Sequence, residues 1–336
     1  MSIAPPYAAL TPERVLDALD GAGLRTDGRL FGLNSYENRV FQIGLEEGES
    51  VVAKFYRPAR WSDAQILEEH AFALELAARE IPVVAPLATG GTTLHSDGEY
   101  RFAVFPRRGG RSPELDDMKV LEWLGRFLGR IHAVGATQPF LERPAIDLQS
   151  FGIEPRDWLL GSGLVPPDLL PAWTGIAALA LESVERAFAT VRISAIRLHG
   201  DCHAGNVLWT PEDARTGAAG GPHFVDFDDA RSGPAVQDLW MLLSGEREAR
   251  ARQLAALLSG YEDFREFDDR ELALIEPLRT LRLLHYSAWI GRRWDDPAFP
   301  AAFPWFNTPR YWQDRILELR EQVAAMDEPA LVPARP

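Results

Sequence analysis

Cysteine is almost absent: the 336 residues include one, Cys202. That excludes an intrachain disulfide and leaves nothing that points to an oxidising compartment. Long apolar runs are missing as well, and no stretch approaches the roughly 18 apolar residues of a membrane span. The N-terminal MSIAPPYAALTPERVLDAL has neither a basic start nor an apolar core, so the expectation is a cytoplasmic protein with no membrane partner. Positive charge is in deficit. Lys and Arg number 35 against 49 Asp and Glu, a formal net charge of −14, the wrong sign for broad attraction to nucleic acid. Two local basic patches, RPARW and PRRGGR, run against that balance. There is no G-x-S-x-G elbow and no G-x-x-x-x-G-K-[ST] loop, so serine hydrolase and P-loop readings lack their motifs.

What is present is an ordinary globular mix, 46% hydrophobic and 25% charged, on a chain long enough for two lobes and a sizeable core. Thr11 followed by Pro12 and Glu13 opens a helix whose apolar face is Val15, Leu16 and Leu19. VFQIGL and SVVAKFY carry the β-branched and aromatic residues of strands, joined by the charged turn EEGE, and predict a hairpin. The connection before it, GLNSYENRV, holds Gly32, Asn34, Ser35 and Asn38, residues that expose donors to an anion and can cover phosphates. Alternation in VVAKFY puts Val52 and Lys54 on one face and Ala53 and Phe55 on the other. A lysine so placed needs a partner, and the helix predicted from Ser62, SDAQILEEHAFALELAAR, offers Glu68 and Glu69. IPVVAPLATGG and YRFAVFPRR read as further strands, completing a sheet of about five.

Beyond them, Leu121, Leu124, Leu128 and Ile131 fall at helical spacing as a core stripe, with His132 read as a satisfied buried histidine. A Pro- and Gly-rich run from Arg143 to Trp173 predicts short helices with loops, and a helix from about Ile176 to Val191 delivers the chain to LHGDCHAGNVLW. There Asp201 and Asn206 stand five positions apart with Gly200 and Gly205 between, so one tight loop can aim both side chains into a cleft. NVLW and HFVDF read as hairpin arms around the turn-forming TPEDARTGAAGGP, bringing Asp226 to Asn206. A carboxylate that accepts a hydroxyl proton, with an Asn and a second Asp to hold hard divalent cations, is the set that phosphoryl transfer needs. His199, Asp201, Cys202 and His203 could instead be read as zinc ligands. Adjacent ligands rarely fit a tetrahedral site, however, and no second cysteine completes one. His199 is therefore read as a loop brace and Cys202 as a small buried residue. The segment from Arg247 to Arg320 is expected to be helical, serving as scaffold and acceptor-site wall.

H-G-D-x-x-x-x-N followed by an apolar-D-F segment resembles the kinase catalytic loop H-R-D-x-x-x-x-N and the D-F-G metal site, with Gly200 in place of the Arg and Asp228 in place of the Gly. Those departures resemble the aminoglycoside and choline phosphotransferase branch of the kinase-like fold. Within it, SYENRVFQ, VVAKFYRPARW, QILEEHAFALEL, LRLLHYSAWIGRRWDDPAF and FPWF are similar to the bacterial stress response kinase A family, also called the YihE or RdoA protein kinases. The similarity spans about residue 30 to about residue 315. The resemblance implies an α+β, bilobal protein-kinase-like fold. It would have a small antiparallel-sheet N-lobe with one main helix (residues 1–105) and a larger, mostly helical C-lobe (106–336). It implies an ATP-dependent serine/threonine kinase using Mg2+, acting as a monomer on protein acceptors that include itself. In it Asp201 and Asp226 are catalytic, Asn206 and Asp226 hold the metal, and Lys54, paired to Glu69 rather than Glu68, grips the phosphates. Ser35 matches the family's nucleotide-loop serine, and backbone groups at Val104 and Phe105, where the chain should turn as a hinge, meet the adenine. Asp238 in GPAVQDLWMLL corresponds to the acid that braces the catalytic loop. The missing Arg after His199 removes the usual reader of a phosphorylated activation loop. Two other readings are a small-molecule kinase acting on an aminoglycoside, choline or homoserine, and a pseudokinase-like binding module; the complete set of Lys54, Asp201, Asn206 and Asp226 disfavours the latter.

Overall fold

The structure, a computed structural model, describes residues 5–192, 194–212 and 220–334. In chain order its elements are α1 (Pro12–Gly21), β1 (Thr26–Leu33), β2 (Arg39–Leu45), β3 (Ser50–Tyr56), α2 (Asp63–Ala78), β4 (His95–Asp97) and β5 (Tyr100–Pro106). Then come α3 (Met118–Gly135), α4 (Glu154–Ser162), α5 (Leu170–Thr190), β6 (Ile196–Leu198), β7 (Val207–Thr210), β8 (Gly221–Phe224) and β9 (Arg231–Gly233). The chain ends with α6 (Val236–Trp240), α7 (Arg247–Tyr261), α8 (Ile275–Gly291), α9 (Ala298–Ala302) and α10 (Pro309–Asp327). Among the described residues no helix is long and apolar enough to cross a membrane.

By its contacts the chain divides into two compact units, Met1–Pro113 with Gly205–Asp228, and Glu114–Ala204 with Asp229–Pro336. By contacts, residues 205–228 group with the first unit. The reason is hydrogen bonding: Arg111 and Trp209 exchange backbone bonds of 2.6 and 3.0 Å, while Phe224 N–H donates to Pro82 O at 2.8 Å and Phe224 O accepts from Val84 N–H at 2.9 Å. The tip of the β7–β8 hairpin, residues 213–219, lies outside the described residues.

The first unit is built on an antiparallel five-stranded sheet of order β1-β2-β3-β5-β4. Its core face carries Ile43, Val51, Ala53, Phe55, Phe102 and Val104, with Phe55 and Phe102 stacked at 4.9 Å. Onto that face pack Val15 and Leu19 of α1, a helix started by Thr11, whose hydroxyl accepts from Arg14 N–H. Helix α2 begins in a reciprocal capping box between Ser62 and Gln65, which satisfies two otherwise orphaned donors. Two expectations change here. IPVVAP contributes a single parallel bridge from Val83 to Phe224 rather than a strand of the sheet, because prolines at 82 and 86 cannot donate to a ladder. Its place is taken by β1, whose register shifts between Thr26 and Leu30 at Gly28, where φ is +85°.

The second unit is helical. Its main core gathers Trp173, Leu181, Leu281, Leu284, Phe299 and Trp312 from α5, α8, α9 and α10. Leu121, Leu124, Leu128 and Ile131 of α3 are all buried, as their spacing predicts. The α3–α7 contact is close enough that a Cβ at Gly125 would stand 2.0 Å from Leu257 O. Between Arg143 and Trp173 lie one turn of π-helix (Gln149–Ile153) and α4, followed by the start of α5 at Leu170, six residues before the expected Ile176.

Candidate active site

In the first unit, β3 presents Lys54 on the face opposite Ala53 and Phe55, where it is buried. Its ammonium donates to Asp226 Oδ1 at 2.7 Å and lies 3.2 Å from Asp228 Oδ1. Burial alone would push the lysine down, but the carboxylates of Asp226, Asp228 and Glu69 more than offset it, and Lys54 titrates above the ordinary lysine range. Glu69 is the buried glutamate of the α2 pair, and Glu68 is only half-buried.

Asp226 itself is exposed and sits just past β8 with φ at +60°, a conformation that costs an L-residue about 1 kcal/mol or more. Phe227, buried edge-on against Phe72 of α2 at 6.1 Å, anchors the turn, so the acids on either side of it are held in place. Asn206 ends a short 3-10 turn (Ala204–Asn206), and its carbonyl accepts from Val225 N–H at 3.0 Å. That bond ties the segment carrying Asn206 to the one carrying Asp226. The two side chains are hard oxygen donors, one carboxylate and one amide. They fit magnesium, which takes one or two carboxylates from protein and fills its octahedron with water and substrate phosphates.

Asp228 belongs to the same ionic network. It is buried, pairs with Arg60, and accepts from Asn38 Nδ2 at 3.2 Å. Asn38 Oδ1 in turn accepts from Arg57 N–H at 3.1 Å, and Glu37 lies 3.8 Å from Arg57 and 3.9 Å from Arg60. Two expectations are corrected by this. RPARW is not a surface basic patch, since its arginines are largely buried in ion pairs, and Asn38 is committed to Asp228 and the Arg57 backbone rather than displayed to an anion. Of the covering turn, Asn34 is exposed and Ser35 half-buried, while Gly32 belongs to β1. At the expected hinge, β5 runs on to Pro106, and Val104 O already accepts from Leu87 N–H at 2.7 Å. Phe105 is half-buried beside it.

In the second unit Asp201 follows β6 in a loop braced from α6. Buried Asp238 accepts from His199 N–H and Gly200 N–H, each at 2.9 Å, and from His132 Nε2 at 3.0 Å. Burial would raise that acid, and the bond to His132, its charge and the backbone donors more than offset the penalty, so Asp238 titrates below the usual carboxylate value. His132 is satisfied at both nitrogens, the second by Tyr261 Oη at 3.0 Å. Gln237 completes the brace by donating to Gly200 O at 3.1 Å. Gly200 has φ at +85°, and a Cβ there would stand 2.1 Å from Asp229 O. No side chain fits where protein kinases carry arginine. Cys202 is buried, and burial pushes its thiol well up, which makes it a packing residue. Asp201 is half-buried; Arg282 Nη1 of α8 donates to its Oδ1 at 2.6 Å, and His203 Nε2 lies 3.5 Å from its Oδ2.

Sequence reasoning passed over Asp228, Arg60 and Arg282. Asp228 was visible only as a replacement for glycine, and Arg60 only as part of a basic run. Arg282 stands in a segment that the family resemblance covers but that no motif marks.

The sequence profile of the phosphotransferase enzyme family matches residues 30–275. Stress response kinase A of Escherichia coli K12 is 46% identical over 331 residues, covering 97% of this chain and 96% of its own. The chain belongs to the stress response kinase A family of phosphotransferases. Another relative, named serine/threonine protein kinase RdoA, from Salmonella typhimurium, is also 46% identical, over 325 residues and 96% of its length. Amicoumacin kinase hAmiN, solved in complex with AMP-PNP, Ca2+ and Ami, superposes with a TM-score of 0.71 over 96% of this chain and 95% of its own. At 19% identity that likeness establishes the fold, the α+β protein-kinase-like fold of the family. The chain is therefore a kinase.

Proposed function

We propose that the protein is an ATP-dependent serine/threonine kinase of the bacterial stress response, transferring the γ-phosphate of ATP to hydroxyls of protein acceptors, itself included. The observation that carries this reading is the 46% identity, over nearly the full length of both chains, to a relative named as a serine/threonine protein kinase. Small-molecule kinases share the fold at 19% identity, too distant to bring their acceptors with them.

In this reading Lys54, kept charged by its carboxylate neighbours, holds the nucleotide phosphates. Glu69 adds to the field that keeps it so, and Ser35 and the backbone at Val104 and Phe105 border the nucleotide. Asn206 and Asp226 hold magnesium, which when bound neutralises charge on the phosphate oxygens. Asp201 orients the acceptor hydroxyl and takes its proton while the hydroxyl oxygen bonds to the γ-phosphorus and ADP leaves with the bridging oxygen. The protein works as a cytoplasmic monomer.

Incubation with labelled ATP and magnesium, against separate panels of proteins and small hydroxyl compounds, tests the proposal. Label on protein seryl or threonyl residues is expected. Label confined to a small compound would move the protein to small-molecule kinases, and none on any acceptor would make it a binding module.

A further inference from the structure

Asp201 does not face its acceptor as a bare carboxylate. Arg282, on the third turn of α8, donates from Nη1 to Asp201 Oδ1 at 2.6 Å, and His203 Nε2 stands 3.5 Å from Oδ2. The helix backbone at Arg282 is anchored, because its neighbours Leu281 and Leu284 are buried in the core of the second unit, and the Arg282 side chain is 37% exposed. One turn further, His285 stacks on Phe151 at 4.2 Å with ring planes 16° apart, and the Arg231 guanidinium lies 4.9 Å from the same ring. One cation and one protonatable ring, Arg282 and His203, therefore stand at the Asp201 carboxylate in a chain whose net charge is −14.

Resting on the reading of Asp201 as the acceptor-facing acid, we propose that Arg282 is a positioning residue that also selects the acceptor by charge. It favours hydroxyls flanked by carboxylates and disfavours hydroxyls carried by small cations. The guanidinium donates to Oδ1 and so orients the Asp201 carboxylate. The same fixed charge compensates the negative charge that would otherwise attract an ammonium. An amino alcohol carries its ammonium within a few ångströms of the hydroxyl, so presenting that hydroxyl to Asp201 brings two positive charges together. An acidic side chain next to a seryl residue meets the guanidinium with the opposite sign. At this partly exposed depth, an interaction of that kind changes transfer by about tenfold.

The test uses the full chain with Mg-ATP and two acceptors, a seryl peptide flanked by Asp and Glu, and ethanolamine. Wild type, Arg282→Lys, Arg282→Gln and Arg282→Glu are compared by kcat/KM, with thermal unfolding followed in parallel. Wild type is expected to prefer the peptide, and Arg282→Lys to keep the preference. Arg282→Gln should lower peptide transfer more than ethanolamine transfer, shifting the ratio of the two about tenfold, and Arg282→Glu should shift it further in the same direction. Equal loss on both acceptors, or no change on either, would overturn charge selection while leaving Asp201 in its role. Transfer by wild type to neither acceptor would overturn the reading on which the proposal rests, and the proposal with it.

Discussion

Lys54 and Asp226, 172 residues apart in the chain, meet at 2.7 Å inside one compact unit. The pair is asymmetric: the lysine side chain is 7% exposed and the aspartate 51%. A buried ammonium needs compensating charge, and an exposed carboxylate retains an oxygen for something else. Asp228 and Glu69 add to the compensation from the buried side, Asp228 held in turn by Arg60 and Asn38. The phosphate-binding lysine and the metal-binding aspartate of the proposed site thus belong to one ionic network.

Replacing Lys54 by Met keeps the length of the stem and removes the charge. Asp226 and Asp228 are left facing each other without their shared cation, so the turn at Phe227 should loosen as well as lose its hold on phosphate. The expected outcome is a fall in kcat/KM for Mg-ATP of about 10²-fold or more, with a lower unfolding temperature. Wild-type transfer rates in Lys54→Met would return Lys54 to a purely structural role.

The brace under the catalytic loop predicts a graded response at Asp238. Alanine there strands two buried N–H donors and a histidine, at a cost of about 3 to 5 kcal/mol, whereas asparagine keeps one acceptor and should lose less. Denaturant unfolding of Asp238→Ala and Asp238→Asn measures the difference. Equal stability of the two variants would mean that the bonds to His199 and Gly200 do not hold the loop.

Local patterns made part of this legible. Hairpin spacing predicted that the Asn206 and Asp226 segments meet, and Asn206 O does accept from Val225 N–H at 3.0 Å. Val15, Leu19 and the α3 stripe obey helical periodicity, and periodicity survives folding. What failed did so for stated reasons. The bulge at Gly28 disguises β1, because a glycine in the left-handed region breaks alternation. Prolines 82 and 86 give IPVVAP a strand's composition without its donors. Arg57 and Arg60 look like surface cations in a linear reading, since the acids that bury them are distant in sequence: Asp228 is 168 residues beyond Arg60. Arg282 is 81 residues from Asp201 and carries no motif, so only the packing of α8 reveals it.

Glu271 gives a pH prediction with a defined sign. Its carboxylate is buried and accepts from Val236 N–H at 2.9 Å, capping the helix that carries Asp238; burial raises it from 4.5 to about 7. The folded state therefore holds a proton between pH 4.5 and about 7 that the unfolded chain has released, and stability falls as pH rises through that window. The effect is on the order of 1 to 3 kcal/mol. Glu271→Gln keeps an acceptor for Val236 and cannot ionise, so in urea unfolding it should gain on wild type as pH rises from 4.5 to about 7 and level off above that. Parallel stability curves for the two proteins would remove Glu271 as the titrating group.

Asp201→Asn separates catalyst from binder. Asparagine is nearly isosteric and its carbonyl can still accept from Arg282 Nη1, so the loop braced by Asp238 should stay folded; what is lost is the ability to take a proton. A positioned general base contributes about 10² to 10⁴ in rate, and transfer should fall by that factor. Nucleotide binding should not, because in this reading the nucleotide is held by Lys54, Asn206 and Asp226, whose side chains the variant keeps. Calorimetric titration with Mg-ATP and a labelled transfer assay, run on the same preparation, read the two quantities side by side. A mutant that binds Mg-ATP like wild type and transfers to neither itself nor a protein acceptor is the expected result. Transfer at the wild-type rate would exclude Asp201 as the base, and loss of Mg-ATP binding in step with transfer would show that its charge serves the nucleotide rather than the acceptor.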